Sequence, residues 1–162
     1  MVPGRLEAGA PLPGRWHELD RSARIQRVKD ARPEPVSGLY SDAPYDYAAV
    51  APLGALLFTA GACPLDEDGN VVGLSDHRAQ AVASIENLRR ALAHFDARFH
   101  LLVKTTVYVV GDRDDLVTVW TVVADSLAPH RPPSTLLGVS TLGYPGQLVE
   151  IEAIAAVPSE DG

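Results

Sequence analysis

The sequence predicts an α+β domain in which two helices cover one face of a mixed β-sheet. Two observations support this prediction: short β-branched runs bounded by turn residues, and two long stretches with apolar residues three and four apart. The two kinds of segment also alternate along the chain, which favours one sheet with helices packed against it. Two helices can cover only one face, so association with other subunits is predicted to bury the other face.

The chain divides into an N-terminal extension, residues 1–33, and a folded domain, residues 34–160. Residues 1–15 are rich in proline and glycine, which predicts a disordered segment. A leading strand at Arg24–Val28 and a short helix in the same region are both compatible with the pattern. Pro33 then predicts a break before a loop.

The first half of the domain shows a strand, a turn and a helix. Leu56–Ala60 is a short apolar run that ends at a glycine, which is typical of a buried strand. The Asp-Gly pair after it predicts a chain reversal into Val71–Val72. Ser75 is the predicted N-cap of a helix, with Asp76 in its first turn. The apolar face of that helix is predicted to consist of Val82, Ile85, Leu88, Leu92, Phe95 and Phe99.

A second strand and a second helix follow directly. Leu101–Val110 is β-branched and alternating, so it predicts a strand. The next helix is predicted to start at Asp114 or Asp115 and to stop before Pro129. Its apolar positions recur at helical spacing and comprise Leu116, Val119, Trp120, Val123 and Leu127.

The last two predicted strands are Ser134–Val139 and Leu148–Val157, and the second of them carries a pair of acids in an apolar run. Glu150 and Glu152 lie two residues apart, so their side chains point to the same side of the strand. The apolar residues between and around them point to the core. One interpretation is an ordinary solvent-facing pair; the other is that one carboxylate lines a cleft, where burial or a like charge makes it a useful general acid or base.

Four segments in order resemble the Rid (YjgF-like) family. The first, LLFTAGACPLDEDGNVV, is similar to the family's strand–SGQ–P–turn element, and the second, RAQAVASIENLRRAL, is similar to its first helix. The third, LLVKTTVYVVGDRDDLVTV, is similar to the family's VKTTVFV strand and the helix after it. The fourth, PPSTLLGVSTL followed by VEIEAIAAV, is similar to the family's C-terminal end. The resemblance covers Val36 to Val157. No single motif decides it, but four in sequence are quite specific.

The resemblance implies a chorismate-mutase-like fold and a homotrimer whose sheets form a central barrel, with small-molecule clefts between adjacent subunits. Active family members hydrolyse reactive enamines and imines, such as 2-aminoacrylate, to a 2-keto acid and ammonia. They use no metal and no organic cofactor. An arginine binds the substrate carboxylate, a glutamate acts on water, and a tyrosine near the N-terminus helps to close the cleft.

Carried onto this sequence, the resemblance assigns the water-activating role to Glu150 as the catalytic residue. The tyrosine falls on Tyr47, with Tyr45 as the neighbouring alternative. The arginine position is occupied by Ser134, whose hydroxyl cannot provide the bidentate, charged grip of a guanidinium. Arg131 lies three residues earlier, about 10 Å away in extended chain, and reaches the cleft only if the HRPP segment bends back.

Further departures from the family pattern predict a less polar cleft. Trp120 replaces a polar residue of the second helix, and it also fits the apolar stripe of that helix. Ala62 stands where the family has a glutamine, and Ala60 where it has a serine. Cys63 has no histidine near it in sequence and is predicted to be a buried structural thiol.

Composition narrows the classes of function. The formal net charge is −7, made up of +3 in residues 1–32 and −10 in the rest, so the acidic domain is expected to repel nucleic acid. A single cysteine allows no internal disulfide, the five histidines show no metal-ligand spacing, and no apolar run is long enough to cross a bilayer. These features predict a cytoplasmic protein without a metal or an organic cofactor.

Three hypotheses about function remain open from the sequence. The first is a hydrolase of the enamine/imine deaminase type, acting on a substrate other than 2-aminoacrylate. The second is a non-catalytic ligand-binding or regulatory trimer that keeps the cleft. The third is a pathway-specific auxiliary enzyme for a bulkier intermediate. Whether the chain is an enzyme is therefore undecided at this point.

Overall fold

The structure, a computed structural model, describes residues 32–34, 45–46, 48–51 and 54–158. The regions predicted as a disordered segment and as a leading strand, and also Tyr47, lie outside the described residues. The first described elements are two short strands, β1 (Arg32–Glu34) and β2 (Ala48–Val50), which pair antiparallel. Pro33 itself lies inside β1, because a two-stranded ribbon consists of edge strands, where proline is tolerated; β1 ends one residue later, at Glu34.

The main sheet has four strands. They are β3 (Gly54–Phe58), β4 (Leu102–Val110), β5 (Ser134–Val139) and β6 (Val149–Pro158), and they lie in the order β3-β6-β4-β5. β6 pairs antiparallel with both β3 and β4, whereas β4 and β5 are parallel. The β5 bounds are those predicted. Val71–Val72 is not a strand: only Val71 makes one isolated bridge, to Leu65.

Two helices are capped by aspartates. α1 (His77–Ala93) begins after Asp76, whose side chain accepts the backbone N–H of Ala79 at 2.9 Å. The N-cap is therefore Asp76 and not the predicted Ser75. α2 (Arg113–Leu127) begins one or two residues earlier than predicted, after Asp112. Asp112 and Asp115 form a capping box, which satisfies free N–H groups at the start of the helix.

Both helices pack on the same face of the main sheet. The core between them and the sheet includes Leu88 and Leu92 of α1, Val119 and Val123 of α2, and on the sheet Val107, Val109, Val149, Ile151 and Ala155. Two residues of the apolar face predicted for α1 are instead exposed, Val82 (55%) and Phe95 (54%). Phe95 lies beyond the end of α1, where the chain turns through Asp96 at a φ of 56°.

Neither helix covers the opposite face of the sheet, which we call the uncovered face. Leu56, Phe58 and Leu137 are 52%, 66% and 42% exposed on this face. The α+β prediction, with two helices on one face of a mixed sheet, is confirmed. Among the described residues there is no helix with the length and apolarity that a membrane span requires.

Candidate functional site

Glu150 and Glu152 both project from the uncovered face of β6. Their neighbours in sequence, Val149, Ile151 and Ala153, are buried under the helices, as strand alternation predicts. In the register with β4, Glu150 lies opposite Tyr108 and Glu152 lies opposite Thr106. The two carboxylates are half-buried, but their surroundings differ.

Glu150 lies directly against the backbone of Gly61. A Cβ atom built on Gly61 would be only 1.8 Å from Glu150 Oε1, which no side chain could tolerate without moving the carboxylate. Residues 61–63 follow β3 and return to β6 through a bridge between Ala62 and Ile151. The glycine is therefore needed for close approach, and the space of its missing side chain holds the carboxylate.

Two side-chain donors reach the other oxygen of the same carboxylate. The amide of Gln147 donates from Nε2 to Glu150 Oε2 at 2.9 Å, and the thiol of Cys63 donates to Oε2 at 3.4 Å. Burial and the neighbouring Glu150 charge raise the pKa of Cys63 to about 11, so the group is a thiol at neutral pH. We call Gly61, Cys63, Gln147 and Glu150 the carboxylate corner.

Glu152 has a different partner. It accepts a hydrogen bond from the Tyr108 hydroxyl at 2.9 Å, and this bond, with a smaller effect of burial, raises the pKa of Tyr108. Lys104, further along the same face, donates to Thr135 Oγ1. Burial lowers the pKa of Lys104, and the Glu152 charge opposes that shift. Glu152 is thus engaged by the sheet itself, which fits a structural role.

A second group of predicted site residues gathers at the beginning of β5. Trp120, Arg131 and Ser134 line one small cavity, and the ring of Tyr45 meets Trp120 edge-on with centroids 6.3 Å apart. Arg131 thus lines the same cavity as Ser134, and the bent HRPP alternative, which would bring it to the cleft, stays a prediction. The indole N–H of Trp120 is buried and has no hydrogen-bond partner among the described residues. We call Tyr45, Trp120, Arg131 and Ser134 the aromatic corner.

Ser134 is turned away from the uncovered face. Its hydroxyl lies 2.6 Å from Thr105 Oγ1 and donates to the Pro132 carbonyl at 2.9 Å. Thr105 is fully buried on the helix-covered side, so Ser134 points to that side too. The hydroxyl at the family's arginine position is thus occupied by contacts within the chain.

The two corners are too far apart to act on one small molecule within a single subunit. Ser134 lies opposite Thr105 and Glu150 lies opposite Tyr108, which separates them by three residues along β4 and by two strand spacings. Strand geometry converts this to about 14 Å between backbones, with the side chains on opposite faces. A cleft that uses both corners requires two copies of the chain.

A groove lies beside the carboxylate corner and is not lined by Glu150. It has a volume of about 500 Å³ and runs between residues 57–67, the C-terminal half of α1 and Tyr144. Gly61, Ala62 and Cys63 form the wall between this groove and Glu150. The Ala62 side chain packs against the core, so it approaches Glu150 only through its backbone. Within the described residues, no group of three or more His, Cys, Asp or Glu side chains could hold a metal ion.

Local sequence patterns do not indicate the residues that hold Glu150. Cys63, predicted to be a structural thiol, is a donor to this carboxylate, and so is Gln147, for which there is no sequence prediction. Alternation gives a partial signal for Cys63: if Ala62 faces the core, then Gly61 and Cys63 face the opposite side. Nothing in the sequence indicates Gln147, because its contact with Glu150 depends on the turn at Tyr144–Gln147.

The fold and the glutamate-bearing strand define a class of small α+β proteins with an uncovered sheet face. The chain belongs to the Rid (YjgF-like) family: the family model described as Endoribonuclease L-PSP matches residues 37–157. The resemblance predicted over Val36–Val157 is thereby confirmed.

Individual relatives agree with this assignment. A RutC family protein of Pyrococcus abyssi is 29% identical over 109 residues, which cover 67% of this chain and 84% of the relative. The Rid protein YyfB of Yersinia pestis matches with a TM-score of 0.72 at 25% identity, over 78% of this chain and 98% of that one. TdcF of E. coli, solved with bound serine, matches with a TM-score of 0.58 at 25% identity, over 78% and 94%.

Proposed function

We propose that this chain is a cytoplasmic hydrolase of the enamine/imine deaminase type, in which Glu150 acts on water in clefts between the subunits of a homotrimer. The observation that carries the proposal is the Glu150 carboxylate itself. It lies on the uncovered face, it is half-buried against Gly61, and it is held by two donors. A carboxylate fixed in this way is suited to general acid–base catalysis.

The proposed reaction needs only water and one proton-transfer group. An enamine first takes a proton on its β-carbon and loses one from nitrogen, which makes it an imine. Glu150 then accepts a proton from water while the water oxygen bonds to the imine carbon; the C=N electron pair moves to nitrogen, and Glu150 returns the proton to that nitrogen, which gives a carbinolamine. The hydroxyl proton of the carbinolamine is transferred to its amine through Glu150, the C=O bond forms, and the C–N bond breaks so that ammonia leaves with the electron pair. Imine and water become a carbonyl compound and ammonia, without a metal or an organic cofactor.

Two features support a cleft between subunits. Leu56, Phe58 and Leu137 expose apolar surface on the uncovered face, and burial against other copies would remove it from water. The carboxylate and aromatic corners are also separated within one chain, so a neighbouring subunit's aromatic corner would complete the site. A homotrimer in which the uncovered faces form a central barrel satisfies both requirements.

The aromatic corner favours a substrate other than 2-aminoacrylate. Ser134 stands where a carboxylate-binding arginine would be, and its hydroxyl already bonds to Thr105 and Pro132. Trp120 and Tyr45 provide apolar ring surface, and the Trp120 indole N–H could bond to an acceptor on a ligand. We therefore propose a bulkier imine, whose anionic group, if it has one, is bound by Arg131.

A non-catalytic ligand-binding trimer is the second candidate, and the replacement of the arginine favours it. A pathway-specific auxiliary enzyme for a larger intermediate would use the same groups. The serine bound to E. coli TdcF supports a ligand of amino-acid size for this chain as well. Cleavage of RNA, which the name of the family model suggests, is disfavoured by two carboxylates on the uncovered face, since they repel phosphates.

The test is release of ammonia from a panel of imines generated in place by an amino-acid oxidase. The substrates range from the imine of alanine to those of phenylalanine and tryptophan. We expect turnover to favour the large apolar imines and Glu150→Gln to reduce it by about 10²-fold or more. Glu152→Gln is the matched control on the same strand face and should keep most of the activity. Binding of amino-acid-sized ligands without any turnover would favour the second candidate.

A further inference from the structure

We propose that Gln147 and Cys63 are positioning residues for Glu150: together they hold Oε2, which leaves Oε1 as the oxygen that meets water or substrate. The inference rests on the proposed function only where it assigns the held carboxylate to catalysis. The hold on Oε2 can be tested without any substrate.

The orientation of the Gln147 amide is fixed by its other contacts. Its Oε1 accepts the backbone N–H of Tyr144 at 3.1 Å, so the opposite end of the amide must be the NH₂ group. From there Nε2 donates to Glu150 Oε2 at 2.9 Å and to the Val149 carbonyl at 3.2 Å. Gln147 is only 4% exposed, and a flipped amide would bring its oxygen against two other acceptors.

The Cys63 thiol is held in place from the other side. Asn87 Nδ2 donates to the Cys63 carbonyl at 2.8 Å and to the Leu65 carbonyl at 2.9 Å, which ties this segment to α1. The bridge between Ala62 and Ile151 sets the distance to β6. Because the raised pKa keeps Cys63 protonated at neutral pH, its hydrogen is available to donate to Oε2.

The second carboxylate oxygen of Glu150, Oε1, has no hydrogen-bond donor among the described residues. This oxygen lies over Gly61. The two donors converge on a single oxygen from elements far apart in the chain, residues 63 and 147. Such a hold fixes the rotation of the carboxylate and keeps one lone-pair-bearing oxygen available, which general base catalysis requires.

Cys63 is the single cysteine of the chain, so the reaction of a thiol reagent with the protein reports on this residue alone. The rate of alkylation by iodoacetamide between pH 7 and pH 11 measures the thiolate fraction of this one residue. The Glu150 charge raises the pKa of Cys63, whereas the Gln147 amide lowers it. At pH 9 we therefore expect Glu150→Gln to speed alkylation and Gln147→Leu to slow it, each by about threefold, because the two changes raise and lower the thiolate fraction respectively.

The opposite signs separate a positioning contact from loosened structure. If either substitution only loosened the carboxylate corner, the Cys63 thiol would become more exposed and alkylation would be faster in both variants. Faster alkylation in both variants, or an unchanged rate in both, overturns the proposal. Thermal unfolding checks that both variants fold. If Gln147→Leu does not fold, the pH profile of Glu150→Gln alone decides whether Cys63 senses the carboxylate: a midpoint of the alkylation rate at lower pH supports the contact, and an unchanged midpoint, with or without a faster rate, rejects it.

Turnover supplies the second readout once a substrate is identified. We expect Gln147→Leu and Cys63→Val to lower kcat by about tenfold with little change in KM, because they misplace a group without removing a substrate contact. Cys63→Ser keeps a donor and should restore most of the kcat lost in Cys63→Val. If Glu150→Gln leaves turnover unchanged, the proposed function fails while the alkylation result stands. If alkylation shows no coupling but Glu150→Gln abolishes turnover, only the positioning role fails.

Discussion

The two sides of strand β6 differ in what they contact, although their residues alternate along the same ten positions. On one side Val149, Ile151 and Ala155 are fully buried under both helices. On the other, Glu150 and Glu152 are half-buried beside exposed apolar residues of neighbouring strands. The first side stabilises the subunit by itself, and the second is complete only when something else covers it. The polar residues on this second side are therefore where chemistry and assembly are expected to coincide.

The comparison extends to the two corners. The carboxylate corner is closely organised, with a glycine that admits Glu150 and two donors that hold it. The aromatic corner contains rings and a serine whose hydroxyl is already bonded. Under the proposed function, the carboxylate that acts on water is held firmly, while the part that would recognise the substrate offers rings in place of a charged anchor. Such a combination is expected for a retained reaction type with a different substrate.

The largest expected effect is on assembly. Phe58→Glu places a charge on the uncovered face, where trimer formation would bury it at a cost on the order of 3–5 kcal/mol. We expect analytical ultracentrifugation to show a trimer for the unchanged chain and monomers for this variant. Val82→Glu, at a similarly exposed residue on the outside of α1, is the matched control and should remain trimeric. A stable monomer of the unchanged chain at micromolar concentration would refute the trimer.

The next effect concerns Glu150 and the glycine beneath it. Gly61→Ala places a methyl group where Glu150 Oε1 now lies, so the carboxylate must move by more than an ångström. We expect turnover to fall by about 10²-fold, with the fold intact by circular dichroism. Gly138→Ala is the control, because its new Cβ would meet only Leu116, at 3.7 Å, and should leave activity within about twofold. Equal activity of the two variants would mean that Glu150 needs no fixed position.

The sequence predicted the fold well because its signals there are local. Ser134–Val139 is a short run with several apolar residues between two prolines and a Gly-Tyr-Pro turn, and its predicted bounds are confirmed. The end of α1 was placed too late, because Phe95 and Phe99 continue the helical spacing by chance beyond the turn at Asp96. The spacing of apolar residues does not show where the backbone changes direction, as it does at Asp96.

The candidate site was only partly predictable for a physical reason. Glu150 could be found because alternation along one strand separates it from the core. Its partners Cys63 and Gln147 reach it through a bridge between Ala62 and Ile151 and through a tight turn, and neither is encoded in local pattern. The direction of the Ser134 hydroxyl depends on the parallel pairing of β5 with Thr105 on β4, which the local sequence pattern does not contain.

The smallest expected effect tests whether Glu152 is structural. Tyr108→Phe removes the hydroxyl that donates to Glu152 at 2.9 Å and should cost at most about 1 kcal/mol of unfolding free energy, because the pair is partly solvated. Tyr144→Phe is the control, since its exposed hydroxyl makes no hydrogen bond among the described residues.

The pH dependence of that small difference has a definite sign. The hydrogen bond to Glu152 raises the pKa of Tyr108 above its ordinary value near 10, so the folded state favours the neutral phenol. The contribution is therefore complete below about pH 10 and is lost as the pH rises through the higher pKa of the folded state. Urea unfolding at pH 8 should separate Tyr108→Phe from the unchanged chain, and the gap should shrink toward pH 11. A gap that grows with pH would mean that the phenolate, and not the phenol, is the form that Glu152 and its neighbours stabilise.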